Sequence, residues 1–576
     1  MDQNRLPLFI AISAAILIGF QFLVPHHPAK PVPGVQPAAL SQPAKPGAPP
    51  TPAVAGITSV PAAVRNAPRV TIDAARVKGS LSLLGARLDD IDLRDYHDTV
   101  SKSSPLVRLL EPAGDPLPSF VQFGWSAADG TKVPDDSTTW ASSGGDLTST
   151  HPVSLKWDNG QGQVFQIDLS VDANYAFSAV QTVRNSGQRA ISVLPWQRVR
   201  RDYTPPPSGY GSVFEGLMGA FNGRTHQLKY ADVRKAADAA AGTAYTDTST
   251  GGWTGIVDKY WLTAIVPAQT APSQATWFYG HDDGVDHYQS SLQPVSVQTA
   301  QPGQTLEYKT HVFVGAKEVG LLQRYETQLP APLLSYSVDW GRLYFISQPI
   351  FTAIDFIFSM TGNFGIAILV FTLFVKILFY PLASKSYESM GKMRLLAPKV
   401  QAARERHKDD PAKQQAAMME VYKQEGVNPA AQLGGCLPML LQVPVFIALY
   451  TVLLVTIEMR HAPFFGWIHD LSVTDPTNVF NLFGLIPYDP SAISPQLHLG
   501  VFPIILGASM YFQQKLNPPP PDPTQARIFQ FMPLIFMFMM GQAPAGLVIY
   551  WCWNNVLTIG QQWWIQRHAT LKKVKV

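Results

Sequence analysis

Hydrophobic positions recur along this chain with three different spacings, and each predicts a different kind of element. Residues 6 to 24 (LPLFIAISAAILIGFQFLV) are an unbroken uncharged run behind Arg5. At 1.5 Å per residue such a helix is long enough for a hydrocarbon core of roughly 30 Å. A signal peptide has a shorter apolar region and a small-residue cleavage site, whereas Pro25, His26, His27 and Pro28 follow here directly. An uncleaved anchor over residues 1–24 is therefore expected. Residues 25 to 61 hold 11 prolines and no acidic residue, which predicts an unpacked linker over 25–67.

From residue 68 to 330 the spacing becomes two. In the run from Val164 to Val171, Phe165, Ile167, Leu169 and Val171 fall on one face, and Gln166, Asp168 and Ser170 on the other. Tyr308 to Val314 reads likewise. Asp158-Asn159-Gly160, Asn185-Ser186-Gly187 and Pro302-Gly303 supply the turns. The pattern predicts a large antiparallel sandwich.

After residue 330 alternation gives way to long apolar runs. Residues 337–358 mix aromatics with Asp339, Arg342 and Asp355, which predicts an interfacial amphipathic helix. Residues 363 to 382 are apolar except for Lys376, and residues 433 to 457, 499 to 514 and 528 to 566 carry no charge. The last stretch makes two spans, reversing at the breaker cluster Gly541 to Gly546. The expected fold class is thus a membrane protein: an α-helical membrane domain with five core spans in 359–566, an N-terminal anchor span, and a large all-β domain. The runs 499 to 514 and 528 to 541 are short for a full span, and short spans thin the bilayer around them.

Lys and Arg counts orient these spans. The 383 to 432 loop carries nine, and the tail 567–576 carries Arg567, Lys572, Lys573 and Lys575, while segment 458 to 498 has Arg460 alone against four acidic residues. Both termini and the 383 to 432 loop are therefore expected in the cytoplasm, with the β domain opposite. Within that loop a helical hairpin over 384–425 is expected. Met390, Met393, Ala397 and Val400 form one stripe, Asp409-Asp410-Pro411 the cap, and Ala412, Ala416, Met419 and Tyr422 the return stripe.

Composition agrees with lipid as the surroundings. Charged residues make up 15% of the 576, against about 25% for a soluble chain. A net charge of +3 argues against a general nucleic-acid binder, and two cysteines, Cys436 and Cys552, exclude a disulfide-stapled scaffold. No Walker loop, HExxH or GxSxG is present, and the β-domain histidines 151, 281, 287 and 311 lack ligand spacing and read as surface residues. No cofactor or metal is implied.

Lys376 is the most informative single residue, because an ionisable group within a span costs roughly 2.5 to 3.5 kcal/mol and usually faces a polar cavity. Snorkelling to the nearby cytoplasmic end is the competing explanation. Thr372 lies one turn back on the same face, and Gln442, Asn554, Asn555, Gln561 and Gln562 add uncharged polar groups in other spans. The spans contain no acidic partner, so a charge-relay pump is poorly supported.

Several stretches resemble the YidC-type membrane protein insertases in their Gram-negative long form: FISQPIF (345 to 351), TLFVKILFYPL (372 to 382), KMRLLAPKVQAARERHKDD (392 to 410), VNPAAQLGGCLPMLLQVPVFIALY (427 to 450), WIHDLSVTDP (467 to 476) and PAGLVIYWCWNNVLTIGQQ (544 to 562). The resemblance implies a periplasmic β-supersandwich and a non-enzymatic insertase and chaperone of the bacterial inner membrane. It would act alone or with the Sec translocon through a hydrophilic groove open to cytoplasm and lipid. Nascent membrane proteins, the Sec translocon, the ribosome and membrane lipids are the implied partners. Lys376 matches the groove's positive residue, usually arginine, and so loses the planar fork. Thr372 matches a groove or substrate-contact position, and Tyr550 and Trp551 match the aromatic pair in the last span; with Gln442 these are the expected groove and substrate-contact residues. The hairpin, with Met390, Met393, Met419 and Tyr422, matches a cytoplasmic hairpin needed for insertion. The rival reading is a membrane-tethered periplasmic carbohydrate-binding or sugar-modifying protein, with its chemistry in the β domain. A transporter would need inverted repeats or paired acidic sites, which the halves do not show.

Overall fold

The structure is a computed structural model describing residues 67–206, 213–407, 410–424, 437–488, 490, 493, 497–517 and 523–574. The anchor 1–24, nearly all of the linker, and Cys436 lie outside the described residues. Two antiparallel sheets form the first half. One runs Arg69–Asp73, Val77–Ser82, Arg87–His97, Ser119–Ala127, Ile191–Arg201, Val285–Pro294, Pro272–Asp282, Thr243–Thr250, with Leu106–Leu110 and Gln298–Ala300 paired beside it. The other runs Arg224–Lys229, Gly216–Phe221, Trp253–Val257, Trp261–Pro267, Thr305–Ala316, Ala176–Asn185, Gln163–Val171, Val153–Asp158, Ala141–Ser142. In Gln163–Val171 every second residue is buried, and Phe165 meets Trp125 of the facing sheet edge-on at 5.2 Å. Polar bonds also cross the core. Trp277 donates to Thr254 Oγ1 at 2.8 Å, Thr254 pairs with Ser290 at 2.8 Å, and Gln181 donates to Gly124 O at 2.9 Å. Each of these three bonds joins one sheet to the other, which fixes how the two sheets are placed.

The sheet bearing Ile191–Arg201 carries a buried ionic layer on its other face. Arg198 bonds Gln122 Oε1 and lies 2.9 Å from Asp136, and Arg87 lies 3.6 Å from the same carboxylate. Burial lowers the Arg198 pKa to about 10, while the two guanidiniums hold Asp136 below its usual range against the desolvation that opposes it. His287, expected on the surface, is buried here instead, with Nδ1 2.8 Å from Asp202 beside Arg200. Alternation places it on a strand face, but only the neighbouring layer shows that this face is covered.

Ten helices are described: α1 (Tyr230–Ala239), α2 (Val319–Gln328), α3 (Tyr344–Thr361), α4 (Phe364–Leu378), α5 (Tyr380–Arg406), α6 (Pro411–Gln424), α7 (Leu437–Val455), α8 (Val501–Leu516), α9 (Pro523–Met540) and α10 (Ala545–Val574). The helix expected over 337–358 is α3, which begins only at Tyr344: a 3₁₀ turn occupies Leu334–Ser337, and residues 338–343 are non-helical, with Gly341 at φ +67°. Gly362 ends it with φ +66°, its N–H donating to Phe358 O at 2.7 Å, and Asn363 Oδ1 then caps α4 by accepting from Ile366 N at 3.0 Å. That exchange turns the chain in two residues and stacks Phe358 on Phe364. α3 packs on α4 and α7, and α10 packs on α4, α7 and α8.

Among the described residues no single helix is long and apolar enough to cross a membrane. One pair, Phe364–Leu378 with Tyr380–Glu388, qualifies together and is bent by 63° at its break. α8 has 16 residues, about 24 Å of helix. α9 has 18, more than its apolar run predicts, because Gln525 and Arg527 continue the helix without being apolar.

By contacts, Leu395–Ala431 groups apart from the body of the chain, Thr51–Arg394 and Gln432–Val576. Within the first, Asp410 caps α6 by accepting from Ala412 N and Lys413 N at 3.1 Å. Arg404 of α5 reaches Met418 Sδ at 3.1 Å, and Gln414 donates to Arg404 O. Tyr422 is buried but Met419 is 48% exposed, so the inward face of α6 is turned by one residue from the stripe expected through Met419. Met390 and Met393 lie on α5, and their side chains lie outside the described atoms.

The segment after α7 plugs into the β domain. Glu458 Oε1 accepts from Val319 N at 2.8 Å, the first amide of α2, and Arg460 donates to His97 O at 2.8 Å with its guanidinium over Trp261.

Candidate functional site

The bend between α4 and α5 opens a cavity. Val375 and Lys376 of α4, Phe379 at the break, and Leu382, Ala383 and Tyr387 of α5 line it, with Gln442 of α7 and Gln561 of α10 opposite. It holds roughly 400 Å³ of space, its open mouth included. Lys376 Nζ donates to Thr558 Oγ1 of α10 at 2.9 Å, and that hydroxyl donates onward to Asn554 O at 2.7 Å. None of the cavity's lining residues is acidic. The ammonium therefore has a neutral hydroxyl as its recorded partner and donor capacity left over.

The expected site residues separate into three groups. Lys376 and Gln442 share the cavity, and Gln442 Nε2 bonds the hydroxyl of Tyr550, placing that tyrosine behind the wall. Thr372 is buried, but its hydroxyl turns back to Ile368 O at 2.6 Å along its own helix and does not line the cavity. Trp551 faces elsewhere, held edge-on between Phe446 at 4.8 Å and Phe536 at 5.3 Å. The polar residues of α10 divide likewise. Asn555 donates to Ser509 at 3.0 Å and Gln562 to Leu516 O and Asn517, fastening α10 to α8. Gln561 faces the cavity, and its buried Nε2 has no hydrogen-bond partner.

Sequence reasoning missed Thr558 and Tyr387. The signal for Thr558 was present: Tyr550, Asn554, Thr558 and Gln561 follow at spacings of four, four and three, one stripe of a helix. Cys552 packs as an apolar residue should, in a buried cluster with Leu506 and Val548, and its thiol donates to Phe502 O at 3.5 Å.

Two family models account for most of the described chain: the YidC periplasmic domain matches residues 69–353, and the 60Kd inner membrane protein matches residues 356–573. The membrane protein insertase YidC of Granulibacter bethesdensis is 50% identical over 578 residues, covering 100% of this chain and 99% of that one. The YidC of Acidiphilium cryptum is 51% identical over 518 residues, covering 88% and 86%. A crystal structure of an active YidC insertase with its first transmembrane domain resolved aligns over 85% of this chain and 91% of its own, at 17% identity and a TM-score of 0.35.

Proposed function

We propose that this chain, which belongs to the family of YidC membrane protein insertases, works through the cavity around Lys376. It is a membrane protein insertase of the bacterial inner membrane with a periplasmic β domain, and nascent membrane proteins are its substrates. The observation that carries the mechanism is a cation with a neutral partner, Lys376 on Thr558, in a cavity walled by Gln442, Gln561 and Tyr387.

A polar tail crossing hydrocarbon loses its hydration, and a charge at the centre costs several kcal/mol. A cavity offering amide, hydroxyl and ammonium groups replaces part of that hydration before the tail leaves water. An acidic side chain on the tail gains most, since Lys376 can donate further hydrogen bonds to it. Short helices such as α8 bring the two water interfaces closer. Burial of the substrate's own apolar segment in lipid then supplies the driving force, so the scheme makes and breaks no covalent bond.

On the same reading α4, α7, α8, α9 and α10 are the five core spans, the first of them bent, with α3 at the interface and the termini in the cytoplasm. The basic hairpin of α5 and α6 and the tail face the ribosome, and the Sec translocon shares the substrates. The test is depletion in cells followed by protease accessibility of a two-span protein with a short acidic periplasmic loop. Wild type and Lys376→Arg should restore insertion and Lys376→Glu should not. Equal rescue by Lys376→Glu would refute the proposed role.

A further inference from the structure

The segment between α7 and α8 carries an arrangement that the insertion cavity does not use. From Pro476 to Tyr488 the sequence has no charged residue, and its large apolar side chains point outward. Leu485 is 83% exposed, Phe483 55% and Leu482 53%, with Phe480, Ile486 and Tyr488 also exposed. The two acidic residues just before it do the reverse: Asp470 and Asp475 are buried. A loop built for water would show the opposite arrangement.

The backbone of the same loop is tied inward. Asn478 Oδ1 accepts from Phe480 N at 3.1 Å and its amide donates to Leu497 O at 2.9 Å. Phe483 N donates to Asn478 O, Ile486 N to Asn481 O, and the Tyr488 hydroxyl to Phe480 O at 2.8 Å. Polar backbone groups satisfied within a segment are what hydrocarbon demands and water does not. At the tip Leu482 and Phe483 are consecutive left-handed residues, φ 51° and 60°. That conformation costs non-glycine residues on the order of 1 kcal/mol or more each, so the outward aim is held by the surrounding bonds. The base is fixed to α8: Asp475 accepts from Phe502 N at 3.0 Å and Thr477 Oγ1 from Val501 N at 3.0 Å.

We propose that residues 479–488 form an apolar wedge seated in the periplasm-facing leaflet of the membrane beside the start of α8. The occupant of this face is lipid, because the base of the loop is bonded to the first turn of α8, which places it where that helix begins, and because aromatic and aliphatic side chains without charge match the acyl boundary. The inference rests on α7 and α8 being spans, and the test separates the two.

The unmodified full chain is reconstituted in vesicles of phosphatidylethanolamine and phosphatidylglycerol, exposed to a lipid-soluble photoactivated diazirine, and mapped by mass spectrometry. Residues 479–488 should be labelled to the level of α7 and α8, and several-fold above the exposed Asp282–Val285 turn of the β domain. Labelled α7 and α8 with an unlabelled 479–488 would overturn the wedge and leave the spans standing. Unlabelled α7 and α8 would overturn the topology itself. Labelling of 479–488 that falls as protein density in the vesicle rises would assign the face to a second copy and overturn the lipid assignment.

Discussion

Lys376 and Thr558 stand 182 residues apart in the chain and meet at 2.9 Å, ammonium to hydroxyl. The threonine hydroxyl accepts a hydrogen bond from the cation and donates one to Asn554 O, so it fixes where the charge points. Thr558→Val keeps the shape and removes the acceptor, a loss of about 1.5 to 3 kcal/mol for a hydrogen bond to a charged group. Insertion of substrates with acidic tails, read as the protease-protected fraction, should fall roughly tenfold or more on that scale, while Thr558→Ser should keep most of it.

Glu458 gives the chain a pH response at the junction of its two halves. Burial raises its carboxyl to about 7 from the usual 4.5, against the backbone amides that favour the charged form, with Glu318 and Asp355 adding repulsion. The folded protein holds this proton more tightly than the unfolded chain does. The stabilisation is therefore fully present below about 4.5 and is lost as pH rises through about 7. A shift of this size corresponds to roughly 3 kcal/mol. Glu458→Gln keeps an acceptor for Val319 N and removes the titration. Thermal melting should show wild type losing stability relative to this variant between pH 5 and about 8.

Asp136 is the shared counter-charge of Arg198 and Arg87. Asp136→Ala leaves two buried guanidiniums uncompensated, and breaking a buried pair in this way costs about 3 to 5 kcal/mol. Melting of the β domain within the full chain should drop accordingly, whereas Arg94→Ala at the exposed Asp73 pair should shift it by less than about 1 kcal/mol.

Much of this architecture was legible in the sequence, for reasons that also mark the limits. The strand Gln163–Val171 was readable because one face is dry and one wet, and period two then follows directly. The reversal between α9 and α10 was readable because glycine and proline break both helices at one place. Lys376 stood out because nothing else in its run is charged. What could not be read was rotation about a helix axis: whether Thr372 turns toward Lys376 or back to Ile368, whether Met418 or Met419 faces α5, and which polar residues of α10 meet α8. Those depend on partners up to 46 residues away or on angles of less than a third of a turn. The 63° bend after Leu378 did have a signal that went unused: Pro381, the second residue of α5, lacks an N–H and disfavours helical backbone at Tyr380.

Gly365 marks where α4 touches the segment after α7. A β-carbon there would lie 2.0 Å from the Phe464 ring, so Gly365→Val must push the helix away. Overpacking of this kind costs about 1 to 3 kcal/mol. The variant should lower the melting temperature, and Phe464→Ala combined with it should recover part of the loss, a non-additivity a double-mutant cycle would measure.

The unneutralised cation of the cavity has one more consequence, for direction. A pocket with positive charge and no acidic residue in its lining attracts one sign of passing residue and repels the other. If substrates pass through it as proposed, it would sort the two flanks of a substrate helix, drawing an acidic flank in and turning a basic flank back to the side from which it came. On the proposed reading, the asymmetry of Lys and Arg that orients this chain's own loops is one that the chain, once folded, imposes on the next.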